Sequence, residues 1–385
     1  MINLSLIGIT LVLLISLISL TIGQNITKVP CTTPDMEKGI CIHLDQCIYL
    51  LNMMMQKPLP VADRDFLKNS QCSFTNGKVF VCCLEDKIDV QIWSIFNTRE
   101  TKKIRESLPE PSSCVSQIGN RIYGGNVTEI REHPSMVLIE YNKGGITNEH
   151  HCGGSLINDR YVLTAAHCII GLPDLWKPTR VRLGEWNTTT NPDCQKYNLG
   201  AEICADPHVD VTIEKAIPHE KYVSLSPTQP NDIALLRLSR SIKYSDFIKP
   251  ICLPIADHLR QATFDGQLMQ VSGWGSTQNA TRSKVKLQAH VSVLSLSKCQ
   301  SVYTSPAYNI RNSQICAGGE KGIDSCEGDS GGPLIGFDTS NKGIQHQFIA
   351  GVVSFGPTPC GFEGWPGVYT RVGAYIDWIL EHMEP

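Results

Sequence analysis

Charge of one sign is what this chain lacks most. Its 385 residues carry 34 Lys and Arg against 37 Asp and Glu, a net charge of −3, and no long basic run interrupts that balance. Such a chain has no electrostatic footprint for nucleic acid or an anionic membrane surface, so neither is an implied partner. Long apolar runs are scarce too, since none follows residues 4–22. That run ends in Thr21-Ile22-Gly23, small residues at the positions a signal peptidase reads. It predicts a cleaved secretion signal over 1–23 and no stable membrane anchor. The near-spanning length and missing basic flank leave an anchor as the alternative. Zinc-type spacing is also missing, although there are 16 cysteines. So many cysteines behind an entry signal point to an oxidising compartment and eight disulfides, rather than metal or redox sites. Four Asn-x-Thr sequons, at Asn25, Asn126, Asn187 and Asn279, are the expected glycan acceptors of a secreted chain.

The length exceeds one ordinary domain and predicts two. Six cysteines crowd into residues 31–83 and close on the adjacent pair Cys82-Cys83. A segment that short cannot be stable by apolar burial alone, so it reads as a disulfide-stapled miniature domain whose pairing the spacing cannot choose. Residues 84–121 hold charged and turn-forming stretches, among them Pro109-Glu110-Pro111, and read as an exposed linker. Beyond Ile122, short runs rich in Val, Ile, Leu and Tyr recur at 135–141, 155–165, 179–183 and 348–354, punctuated by Gly, Pro and Asn. Regular short strands predict an all-β barrel domain. Over 372–383 the apolar residues Tyr375, Ile376, Ile379 and Leu380 take helical spacing and predict a terminal helix.

Three short motifs carry the chemistry. Asp324-Ser325-Cys326-Glu327-Gly328-Asp329-Ser330-Gly331-Gly332-Pro333 supplies a serine among glycines, and Leu163-Thr164-Ala165-Ala166-His167-Cys168 and Asn231-Asp232-Ile233 place a histidine and an aspartate upstream. A serine hydroxyl is a weak nucleophile at neutral pH, so it needs a base, and the base needs a third group to fix its tautomer. His167, Asp232 and Ser330 can fill those roles. The glycines let the backbone amides of Gly328 and Ser330 approach a developing oxyanion. A lone histidine beside a cysteine, or a lone Gly-Asp-Ser-Gly turn, would be bland; the three together in this order are not.

From Ile122 to the end the chain resembles the trypsin-like serine proteases, and residues 31–83 resemble the clip domain found ahead of arthropod serine proteases. The resemblance implies two six-stranded antiparallel β-barrels over 122–385, with the active site in the cleft between them. It implies the bridges Cys31–Cys82, Cys41–Cys72, Cys47–Cys83, Cys114–Cys252, Cys152–Cys168, Cys299–Cys316 and Cys326–Cys360. Cys194 and Cys204 remain as an extra pair, expected to close a loop that rims the cleft. Seven cysteines precede Arg121 and nine follow it, so complete pairing demands a bridge across that point. Arg121-Ile122-Tyr123-Gly124-Gly125 looks like a zymogen activation site. Cleavage after Arg121 would free the Ile122 amino group to pair with Asp329. Asp324 stands where the family places the carboxylate that selects Arg or Lys, Gly356 and Gly367 occupy the wall positions, and Ser354 and Phe355 would align the substrate backbone.

Glu185 and Asn187 resemble the start of the family's calcium loop. No cofactor is needed for catalysis, so calcium would be structural. The implied partners are an upstream activating protease, a protein substrate and a serpin inhibitor, in haemolymph-like extracellular fluid. Melanisation, Toll or developmental cascades are the implied setting. A digestive trypsin and a catalytically silent clip-domain binding protein are the alternatives. The first leaves the clip-like segment unexplained, and the second predicts a lost triad residue, which the sequence does not have.

Overall fold

The computed structural model describes residues 29–43, 47, 49–50, 53, 61–75, 78–84, 107–110, 113–115, 126–145, 148–197, 200–277, 282–305, 308–339 and 345–384. The secretion signal, Asn25, Asn279 and the segment Arg121–Gly125 lie outside them. The chain divides into two compact units, Met1–Thr98 and Arg99–Pro385.

The first unit is a four-stranded antiparallel sheet with strands β1 (Pro30–Thr32), β2 (Lys38–His43), β3 (Gln71–Thr75) and β4 (Lys78–Cys83) in the order β1-β2-β4-β3. A helix, α1 (Val61–Asn69), precedes β3. Its apolar core contains Ile40, Ile42, Leu50 and Val81. So little burial needs covalent support, and Cys31–Cys82, Cys41–Cys72 and Cys47–Cys83 supply it.

The second unit opens with a short strand, β5 (Asn126–Val127), and then builds a closed barrel. The barrel strands are β6 (Met136–Lys143), β7 (Asn148–Leu156), β8 (Tyr161–Thr164), β9 (Trp176–Leu183), β12 (Val209–Pro218) and β13 (Ala234–Leu238), in the closed order β12-β13-β8-β7-β6-β9. Between β9 and β12 a separate hairpin is formed by β10 (Cys194–Lys196) and β11 (Glu202–Cys204), joined by Cys194–Cys204. A second sheet runs β14 (Leu268–Gly273), β17 (Pro333–Asp338), β18 (His346–Phe355), β19 (Gly367–Arg371), β16 (Gln314–Ala317) and β15 (Leu287–Leu294), and β14 pairs with β15 to close it. The molecule thus has two six-stranded antiparallel barrels, with β5 added beside β15. β8 is buried along its whole length, as a run of Tyr, Val and Leu in a barrel wall should be.

Two expectations need correction. The run 155–165 is not one strand, because Asn158 Oδ1 accepts hydrogen bonds from the Arg160 and Tyr161 amides, 2.9 and 2.7 Å, and so turns the chain between β7 and β8. The linker is not exposed throughout: Leu108, Cys114 and Val115 are buried. Val115 takes part in backbone hydrogen bonds with Pro250 and Gln347, and the Cys114–Cys252 bridge fixes the segment to the barrels. At the C-terminus a 3-10 turn, Val372–Tyr375, leads into helix α2 (Ile376–His382), which buries Ile376, Trp378, Ile379 and Leu380. Among the described residues no helix is long and apolar enough to cross a membrane.

Candidate active site

His167 sits in a 3-10 turn, Ala166–Cys168, one residue after β8, and Asp232 lies two residues before the start of β13, the strand paired with β8. Adjacent strands therefore bring two residues far apart in sequence together. Asp232 is completely buried, and its Oδ2 lies 2.7 Å from His167 Nδ1 while its Oδ1 accepts the His167 amide at 2.9 Å. The Ser354 hydroxyl donates to the same Oδ2 at 2.5 Å, and Thr370 Oγ1 donates to the Asp232 carbonyl at 2.7 Å. A carboxylate so surrounded holds the imidazole in one orientation, with Nδ1–H towards the acid and Nε2 free to act as a base. Burial pulls the His167 pKa down, but the charge and hydrogen bond of Asp232 outweigh it, so the net shift is upward.

Ser330 comes from the second barrel, in the loop before β17. Gly153 on β7 donates to the Ser330 carbonyl at 2.7 Å, which fastens that loop to the first barrel. Gly331 makes the approach possible. It has φ +76°, and a Cβ there would strike Thr164 Oγ1 and lie 2.6 Å from the Gly153 carbonyl. Cys326–Cys360 ties the same loop to the segment after β18.

Gly356 and Gly367 lie beside the Asp324 carboxylate. A Cβ on Gly367 would lie 2.9 Å from Asp324 Oδ1, and one on Gly356 would lie 4.0 Å from Oδ2. A side chain at either glycine would crowd the space beside that carboxylate. Burial pushes the Asp324 carboxyl up to about 7, against hydrogen bonds from Ser325 and Gly361. Asp329 accepts the Gly275 amide at 2.8 Å and the Cys326 amide at 3.0 Å, and burial pushes its carboxyl up to about 6. Both carboxylates line a cavity of about 850 Å3 that Gly273, Gly275 and Gln288 also bound.

Glu185 and Asn187 have separate side-chain partners. The Asn187 carboxamide oxygen accepts from the Thr189 hydroxyl at 2.7 Å, while the buried Glu185 carboxyl lies 3.3 Å from Arg182 and is pushed up to about 7 by burial and then by Asp193. Asp193, which sequence reasoning passed over, is itself buried and accepts the Trp186 and Asn187 amides, each at 2.9 Å. Two buried carboxyls in one loop are a donor set that suits a hard cation. The Cys194–Cys204 hairpin packs beside the stretch that follows β5. Gln195 accepts the Ile130 amide at 2.8 Å, and Ile203 packs with Ile130, Trp186 and Val285.

All sixteen cysteines are paired in the bridges named for the two units, Cys152–Cys168 and Cys299–Cys316 completing the set, and these are the pairs that the resemblance implies. Ser354 was expected only to align substrate backbone. Its hydroxyl on Asp232 is a contact that no local motif signals.

Residues 122–379 match the family model described as Trypsin, and residues 31–83 match the regulatory CLIP domain of proteinases. The chain is 50% identical over 356 residues to Serine protease ea of Drosophila melanogaster, covering 92% of this chain and 91% of that protein. It is 45% identical to Melanization protease 1 of Drosophila melanogaster, covering 92% of each. Among solved structures, the Drosophila Grass clip serine protease of the Toll pathway matches with a TM-score of 0.63 at 33% identity, covering 92% of this chain and 97% of that one.

Proposed function

The chain belongs to the trypsin family of serine proteases and carries a CLIP domain ahead of its protease domain, and from that premise we propose that it is a secreted zymogen that cuts proteins after Arg or Lys. Its place is in an extracellular cascade of the melanisation, Toll or developmental kind. There an upstream protease cuts it between Arg121 and Ile122, it cuts a zymogen or cytokine precursor in turn, and a serpin ends its activity. Relatives named for melanisation and for the Toll pathway support that setting.

In this reading His167 takes the Ser330 proton as the oxygen attacks the scissile carbonyl and then passes it to the leaving amine, while Asp232 stabilises the imidazolium. The amides of Gly328 and Ser330 receive the oxyanion, and each such donor is worth about 3 to 4 kcal/mol. Before cleavage the site is incomplete. A buried carboxyl held above its usual range gains from an arriving ammonium, so the new Ile122 amino group pairs with Asp329 and orders the Gly328–Ser330 loop. In the loop 185–193, calcium would keep Glu185 and Asp193 ionised against burial. Asn187, with its carboxamide turned to Thr189, serves with Asn126 as a glycan acceptor.

The observation that carries this reading is the Asp324 carboxylate set against Gly356 and Gly367. An Asp324→Ser variant, cleaved after Arg121 and assayed on matched Arg and Phe peptides, is expected to lose its Arg preference by roughly 100-fold or more in kcat/KM. A preference that survives the substitution would refute the pocket assignment.

A further inference from the structure

In the proposed reading Ser354 and Phe355, at the end of β18, align the substrate residues before the scissile bond, and those after it leave on the other side of Ser330. The wall there is β7 at His150–Cys152, which the hydrogen bond from Gly153 to the Ser330 carbonyl sets beside the nucleophile. Arg282 stands on that wall. Its guanidinium donates to the His150 carbonyl and, at 3.1 Å, to His151 Nδ1. Arginine has only donors, so His151 Nδ1 must be the acceptor. A Cβ on Gly328 would lie 3.3 Å from Arg282 Nε, so the guanidinium lies directly against the glycine of the oxyanion hole.

The charges around Arg282 are unevenly committed. Glu149 is held by Lys143 at 2.6 Å and by His151 at 3.2 Å. Glu327 is 84% exposed and only 3.9 Å from Arg282, whose own side chain keeps 32% of its surface in solvent. An ion pair that long and that exposed is weak, and an incoming carboxylate can replace it without leaving Glu327 buried and unpaired. The anchored guanidinium costs little further ordering when it receives a ligand, because two of its nitrogens are already fixed.

We propose that Arg282 is a specificity-determining residue that favours an acidic side chain at the first or second substrate position after the scissile bond. Electrostatic complementarity of this kind chooses among otherwise similar partners. The inference rests on the proposed roles of Ser330 and Gly328.

The test uses the full-length chain cleaved after Arg121 and a set of peptides with Arg before the scissile bond. Asp, Gln or Lys occupies the first or the second position after it. Wild-type kcat/KM is expected to fall in the order Asp, Gln, Lys at one of those positions, by roughly three- to ten-fold per step, and the spread is expected to shrink in high salt. Arg282→Gln should flatten the order and Arg282→Glu should invert it. Because the ratios are taken within each variant, a general loss of activity from loosening the loop cancels. Equal rates for all three in the wild type, or the same order in Arg282→Glu, would overturn the proposal. Peptides that are cut without any such order defeat Arg282 alone, whereas failure to cut any of them defeats the proposed active site on which it rests.

Discussion

The Asp232 carboxylate accepts three hydrogen bonds at zero exposure, and its charge holds His167 above the ordinary histidine range. Asp324, the proposed anchor for a substrate Arg or Lys, is pushed up to about 7 by burial. The signs run the same way for activity. As pH falls His167 gains a proton and ceases to be a base, and Asp324 gains a proton and ceases to attract a cation. For an Arg peptide, log kcat/KM should therefore approach a slope of about 2 on the acid limb, below roughly pH 6, while a Phe peptide should show a slope of about 1. Equal slopes for both peptides, measured between pH 5 and 9, would count against the pair. At this scale His167, Asp232, Ser330 and Asp324 were legible because each lies in a recognisable local stretch. The Ser354 hydroxyl, Asp193 and Arg282 were not. Ser354 and Arg282 meet partners far away in sequence, and the contact of Asp193 with the Trp186 and Asn187 amides depends on a loop conformation that no local motif signals.

Among the elements, short strands punctuated by turn residues announced the barrels, yet pattern alone could not divide 155–165. The apolar run continues through Ile157, and it is the Asn158 side chain, accepting two backbone amides, that breaks it. The Cys194–Cys204 hairpin teaches a similar lesson. The extra bridge was visible, but not what it holds: the hairpin grips Ile130 beside β5, in the stretch that follows the proposed cleavage point. Its two cysteines are 10 residues apart, and a loop of that size is worth about 2 to 3 kcal/mol of stability. Replacing both with Ala should lower the melting temperature by about 5 to 10 °C in calorimetry. An unchanged melting temperature together with altered cleavage of a protein substrate alone would instead favour the expectation that the hairpin rims the cleft.

Across the whole molecule, cysteine parity in the sequence demanded a bridge spanning Arg121, and Cys114–Cys252 is that bridge. Cleavage there leaves the N-terminal unit covalently attached to the protease. The same bridge explains why charged composition misled the reading of the linker, since Cys114 and its neighbour Val115 are buried on the barrels whatever the surrounding residues favour. In the proposed activation, a cut after Arg121 acts through the Asp329 carboxyl on Gly328 and Ser330. The most direct test is to secrete the chain and its Ser330→Ala form, cleave each after Arg121, and follow hydrolysis of matched Arg, Lys and Phe peptides. Activity is expected to appear only after cleavage, only with Ser330 present, and mainly on Arg and Lys, with Ser330→Ala lower by at least roughly 10,000-fold. Full activity before cleavage, or none on any peptide after it, would contradict the zymogen reading.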